Sequence, residues 1–149
     1  RDGLFCDTPG DHKLDCGGLL VAPGFIDTHT HSDLAVLEDP NLSFKSMQGV
    51  CCDVLGQDGI SVAPLLERDV ESVKAQLAGL DGNPPGLDWD WRSVGDYLDR
   101  VEAARPGVDC AYLVPHGQVR RAVLGMAAIL ALILIAVLIL ITTSLQGLC

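Results

Sequence analysis

Apolar and polar positions along the chain mark out a short series of elements. Residues 14–26, LDCGGLLVAPGFI, form an apolar run broken by Gly-Gly and Pro-Gly. That punctuation predicts a short strand, a turn and a second strand ending just before two histidines. After EDPN, the stretch LSFKSMQG predicts a short helix stopped by Gly49, and VCCDVLG predicts a buried parallel strand. Gly56 and Gly59 then bracket a loop. Over residues 65–80, Leu66, Val70, Val73, Leu77 and Leu80 recur at helical spacing with charges opposite them.

DGNPPGLDWDW has too many prolines and glycines for a regular element and predicts a loop. From Ser93 to Arg105, Val94, Tyr97, Leu98 and Val101 predict an amphipathic helix with Pro106-Gly107 as its stop. VDCAYLV predicts a third strand, running to Pro115-His116-Gly117. Strand, helix, strand, helix, strand is the α/β pattern of right-handed crossovers on a parallel sheet. The polar residues of interest all follow strand ends, where parallel α/β barrels keep their chemistry.

The last part of the chain changes this picture. No charged side chain follows Arg121, and no polar side chain interrupts residues 122–141. As one apolar C-terminal helix this segment is about 30 Å long, the thickness of a bilayer core. Taken at face value it spans a membrane, with Arg120 and Arg121 keeping the preceding part in the cytoplasm.

Charge and cysteines narrow the classes further. A net charge of -10 without a basic stripe argues against nucleic acid or an anionic membrane surface as partner for the part before the tail. The opening RDGLFCDTPGD has no Met, basic region or apolar core, so no signal peptide is expected there and the chain reads as starting within a protein. Six cysteines lie scattered without a CxxC pair, which points to a reducing, cytoplasmic compartment and ordinary small apolar packing. Cys51 and Cys52, adjacent on a strand, point to opposite faces and are poorly placed to bridge each other.

Candidate chemistry centres on GFIDTHTHSD, residues 24–33. On an extended segment Asp27, His29, His31 and Asp33 share a face. Two neutral imidazoles so placed can bind one divalent ion while a carboxylate orients a ring. Such an ion acidifies a bound water into a nucleophile. A bare HxH is more often two surface histidines in a polar loop, so the surrounding segments decide.

Those segments are APGFIDTHTHSD, QGVCCDVLGQDGISVAPL and YLVPHGQVRRAVLGMA. In this order and spacing they resemble the amidohydrolase superfamily, and within it the D-aminoacylase or N-acyl-D-amino-acid deacylase group, over about residues 13–127. The resemblance implies the first three β/α units of a (β/α)8 TIM-type barrel over 24–121, preceded in 1–23 by part of a small β-sandwich and the lead-in to the barrel. Residues 122–141 are the apolar helix and 142–149 a short tail.

It also implies hydrolysis of an amide C–N bond, with a divalent metal, zinc first, as cofactor and a small N-acyl amino acid as substrate. His29 and His31 match the first-strand metal ligands. Asp58, in GQDGIS, stands where many deacylases have a cysteine ligand in GNCGIS. A carboxylate is a harder ligand than a thiolate, so Asp58 is a candidate metal ligand, with a polar turn cap as the alternative.

Asp33 occupies the position of an arginine in the dihydroorotase branch, which weakens a cyclic-amide hydrolase of the dihydroorotase or hydantoinase type. It stays a candidate for the substrate pocket or for supporting the ligands. His116 and Arg120 match an HG-plus-arginine pattern after the third strand, with the same two roles open. His12 has no partner pattern and reads as a loop histidine. The family's general acid, an aspartate of the last barrel strand, and its further histidine ligands belong to strands beyond these three. The chain is therefore expected to be an N-terminal fragment, its tail a truncated or frame-shifted reading rather than a true anchor. A membrane-anchored, non-catalytic binding module is the alternative of a different class.

Overall fold

The computed structural model describes residues 14–125 of the chain. Three strands, β1 (Phe25–Asp27), β2 (Val50–Leu55) and β3 (Asp109–Tyr112), pair in parallel in the order β1-β2-β3. Two short helices, α1 (Ala35–Glu38) and α2 (Ser43–Ser46), connect β1 to β2. Helices α3 (Val70–Leu77) and α4 (Val94–Ala104) connect β2 to β3, and α5 (His116–Leu124) follows β3. The expected α/β order and parallel sheet are present, as an open sheet among the described residues. Since all strands run the same way, their carboxyl ends lie along one edge.

Local chemistry explains the best-formed elements. Ser93 caps α4 by accepting the amide of Asp96 at 3.1 Å, while the Asp96 carboxylate accepts the Ser93 amide at 2.8 Å. This reciprocal box satisfies two of the amide donors that every helix start leaves open. At the other end Arg105 turns left-handed at φ 56°, and Pro106 forbids continuation. β2 holds its place because Asp53 and Leu55 are fully buried, while their β3 partners Cys110 and Tyr112 are half-buried.

The core lies between the sheet and its helices and is centred on Leu34, Leu55, Val73, Leu77, Trp91 and Tyr97. The 81–91 segment is a loop, as its prolines require, yet it contributes two of the largest core groups. Trp89 and Trp91 stack at 5.3 Å, and the Trp91 indole donates to the Val62 carbonyl at 2.8 Å.

Several elements depart from the periodicity. The strand expected within 14–22 does not form. Leu14, Leu19, Leu20 and Val21 are exposed, with no neighbouring strand among the described residues to take their backbone groups. Residues 14–23 carry no strand, and residues 1–13 of the segment assigned to the sandwich, with His12, lie outside the described residues.

The helix expected over 65–80 starts later, with a 3-10 turn at Glu67–Asp69 before α3. The Leu65 amide instead bonds the Arg92 carbonyl at 3.1 Å, which holds that end extended. Helix α5 also supplies residues 122–124, and Gly125 ends it at φ 75°. Ala122, Val123 and Leu124 are therefore its last turn rather than the start of an unbroken apolar helix. The rest of 122–141, and 142–149, lie outside the described residues; within 14–125 no helix is long and apolar enough to cross a membrane.

Candidate metal centre at the strand ends

His29 and His31 follow β1, and Asp58 sits on the turn after β2. That turn needs unusual backbone: Gly56 has φ 77°, and a methyl group there would overlap the Leu113 carbonyl oxygen. Asp58 itself is left-handed at φ 57°, a conformation Asp tolerates better than most residues. The result is convergence. One carboxylate oxygen, Oδ2 of Asp58, lies 3.1 Å from Nε2 of His29 and 3.3 Å from Nε2 of His31. The imidazole rings stand edge to face at 5.8 Å.

The three ligand atoms lie within 4.8 Å of one another. Two ligands bound at about 2.1 Å to one ion are separated by roughly 3.0 Å at a right angle and 3.4 Å at the tetrahedral angle. The two observed His–Asp separations fall between these limits, as they would for donors that share one divalent ion. Access is open from one side: His29 and Asp58 are 60% and 52% exposed, whereas His31 is 19% exposed.

The alternation of the HxH segment ends with β1, so the four polar residues do not share one face. Asp27 turns to Lys45, which donates to it at 3.0 Å. That contact holds the Asp27 carboxyl below its ordinary range. Asp33 is 1% exposed and points beneath the site. It accepts the Gly56 amide at 3.3 Å and the Ser61 hydroxyl, the two ends of the turn that carries Asp58. Burial pushes the Asp33 carboxyl up, and the Ser61 and Gly56 bonds oppose that rise.

Gln57 fastens the same turn to the HxH segment by donating to the Thr28 carbonyl at 2.8 Å and the Val54 carbonyl at 2.9 Å. The Tyr112 hydroxyl lies 2.8 Å from that of Ser61. Asp81 accepts the Leu34 amide at 3.0 Å; burial first, then the charge of Asp33, push its carboxyl up to about 7.

His116 and Arg120 are not drawn into the cluster. His116 begins α5 and is exposed. Its neighbour Gly117 packs so closely on the Asp58 turn that a methyl group would lie 2.5 Å from the Gly59 carbonyl oxygen. Arg120 is half-buried, and its Nε has no partner among the described residues. Arg121, not Arg120, is the buried arginine of this helix, donating to Gln76.

Lys45, Asp53, Gln57 and Ser61 support the site without having been singled out by motif. A signal was present for one of them: Asp53 interrupts the apolar VCCDVL run, and such a residue is buried only with a partner. Cys16, Cys51, Cys52 and Cys110 are free thiols, and burial pushes Cys110 up to about 11, away from a reactive thiolate. A cleft of about 290 Å³ between α4 and β3, lined by Leu98, Val101 and Cys110, contains none of the candidate ligands.

Several known proteins resemble this chain. A family profile described as "Amidohydrolase family" matches residues 13–131. An N-acyl-D-glutamate deacylase of Alcaligenes xylosoxydans xylosoxydans is 42% identical over 76% of this chain and 22% of its own length. A D-aminoacylase of the same organism is 37% identical over 82% of this chain and 24% of its own length. The chain thus spans about a quarter or less of these relatives.

Among solved structures, a D-aminoacylase studied for the functional role of its binuclear metal center superposes with a TM-score of 0.56 and 38% identity, over 68% of this chain and 20% of that one. An N-acyl-D-glutamate deacylase from Bordetella bronchiseptica, complexed with zinc and a phosphonate inhibitor that mimics the tetrahedral intermediate, gives 0.50 and 31% over 66% and 19%.

Proposed function

The chain belongs to the amidohydrolase family, and from that premise we propose that His29, His31 and Asp58 are ligands of a divalent-metal centre in a hydrolase cleaving the amide C–N bond of N-acyl amino acids. The observation that carries this reading is the single Asp58 oxygen facing both Nε2 atoms at ion-sharing separations. The names of the relatives support acyl-D-amino acids as the substrate class. The zinc-bound Bordetella deacylase supports zinc as the first metal to test.

His29, His31 and Asp58 would hold the ion, which would supply an acidified water and polarise the acyl carbonyl. Two neutral imidazoles and one carboxylate leave such a site with net positive charge, suited to a developing oxyanion. His31, the least exposed ligand, anchors the site; His29 and Asp58 border the open side where substrate approaches. Asp33 and Gln57 hold the Asp58 turn against the HxH segment. His116 and Arg120 flank the approach on α5 and are assigned to the pocket wall.

No further His, Cys, Asp or Glu joins the three among the described residues. The family resemblance assigns protonation of the leaving amine to an aspartate of a later strand, outside the described residues. On this reading the sheet continues into a (β/α)8 barrel over 24–121 and beyond, preceded by a small sandwich. Further strands would cover Ile26, Leu113 and Val114, which the described sheet leaves exposed.

The test is zinc content after equilibration and dialysis of the purified chain, alongside Asp58→Ala and His31→Ala. The expected outcome is about one zinc per wild-type chain and a loss of at least tenfold in affinity for each variant. Equal zinc in all three would remove the proposal. In a longer protein carrying this segment, zinc-dependent release of glutamate from N-acetyl-D-glutamate should fall with the same substitutions.

A further inference from the structure

We propose that Lys45 is the positioning residue of the histidine pair, fixing the backbone on both sides of His29 from a buried amine on α2. The inference rests on the metal-site reading above and adds a residue that no part of that reading requires. The Lys45 side chain is 10% exposed, and its amine has three acceptors on different elements. It donates to Asp27 Oδ2 at 3.0 Å, to the Thr30 hydroxyl, and to Asp53 Oδ1 at 2.7 Å.

Two of these acceptors bracket His29. Asp27 uses its other oxygen, Oδ1, to accept the His29 amide at 3.2 Å. Thr30, between the two histidines, exchanges a hydrogen bond with Ser32 at 2.8 Å on the far side of His31. The third acceptor, Asp53, lies on β2 opposite Asp27 in the strand register. One ammonium thus ties the segment between the metal-ligating side chains to the neighbouring strand. β1 ends at Asp27, so no sheet pairing holds His29 or His31 in place; the lysine network shares that work with the Gln57 bond to the Thr28 carbonyl.

A cation needed only to neutralise Asp53 would not have to reach Thr30 or Asp27. The two roles separate experimentally. Lys45→Met strands the Asp53 charge and is expected to cost stability. Lys45→Met combined with Asp53→Asn removes both charges of the buried pair, leaving Asp27, which is partly exposed, to water. Thr30→Val removes the acceptor between the histidines, with its bond to Ser32, and leaves the ion pair intact.

The measurements are Co2+ affinity from the ligand-field absorption of the full chain, and the amide proton shift of His29 in the metal-free chain. The expected result for the double variant is a thermal midpoint near that of the wild type, Co2+ binding weaker by at least about tenfold, and an upfield-shifted His29 amide. Thr30→Val is expected to weaken Co2+ in the same direction.

Double-variant and Thr30→Val chains that bind Co2+ within twofold of wild type, with the His29 amide unmoved, would overturn the role of Lys45. Asp58→Ala and wild type binding Co2+ alike would instead overturn the metal site. The metal-free amide shift still reads the Lys45 contact in that case, so the two failures are told apart.

Discussion

The two sides of the sheet edge solve opposite problems. Under α3 and α4 the interior is apolar and aromatic, with Trp91, Tyr97, Val73 and Leu77 almost wholly buried. At the strand ends the buried groups are Asp33, Lys45, Asp53, Gln57 and Ser61. The first region gains stability by removing apolar surface from water, roughly 25 cal/mol per Å². The second has to remove charges from water, which is costly unless each is paired. Asp53 Oδ2 and Asp81 Oδ1 still find no partner among the described residues. The contrast assigns the two regions different roles: one supplies stability, the other spends some of it to hold two histidines and a carboxylate at fixed separation.

The sharpest way to break that division is to damage the apolar side. Trp91→Ala removes a core aromatic and its bond to Val62 and is expected to cost about 3–5 kcal/mol in urea unfolding. Zinc affinity per folded molecule should stay near wild type. A variant that lost zinc in proportion to its stability would erase the distinction.

Asp81 probes the polar side through pH. Its folded carboxyl titrates at about 7 against an ordinary value of 3.8. Between those values the folded state keeps a proton that the unfolded chain has released. Stability is therefore fully present below about pH 4, falls as pH rises through about 7, and levels off above it. Asp81→Asn keeps an acceptor for the Leu34 amide and removes this loss. It should stabilise the protein at pH 8 by roughly 1–3 kcal/mol and have little effect near pH 4. Asp33, raised by the same burial, leaves a residual slope of the same sign. A flat difference between variant and wild type from pH 4 to 8 would count against a buried, protonated Asp81.

The smallest effect belongs to the surface. Ser93→Ala removes the α4 cap, which touches neither the site nor the central core, and should cost about 1 kcal/mol with zinc affinity unchanged. Thermal melts with and without zinc would show the same ligand-induced shift for this variant and the wild type.

The features legible in the amino-acid sequence were those with local causes. β2 is an apolar run, and α4 has a serine before it, a proline after it and apolar residues at helical spacing, so their bounds were found almost to the residue. The histidines and Asp58 stood out because PGFIDTHTH and GQDGIS resemble family segments. What escaped depends on long-range partners. The run at 14–22 has strand composition, but nothing among the described residues pairs with it. Asp33 lies in step with the two histidines, yet the strand ends at Asp27, so it turns inward to hold the next turn instead of facing outward beside them. Lys45 looks like a surface residue of a polar helix until β1 and β2 bring two aspartates to it. The apolar tail hid the fact that Ala122, Val123 and Leu124 finish α5 before Gly125 stops it.

The central claim is that His29, His31 and Asp58 together hold one divalent ion. The most direct measurement is zinc-edge X-ray absorption on the zinc-loaded chain. The prediction is a first shell of nitrogen and oxygen at about 2.0–2.2 Å, with the outer scattering of two imidazoles and no sulfur at about 2.3 Å. A sulfur-containing shell, or one without imidazole, would place the ion on other groups and contradict the account.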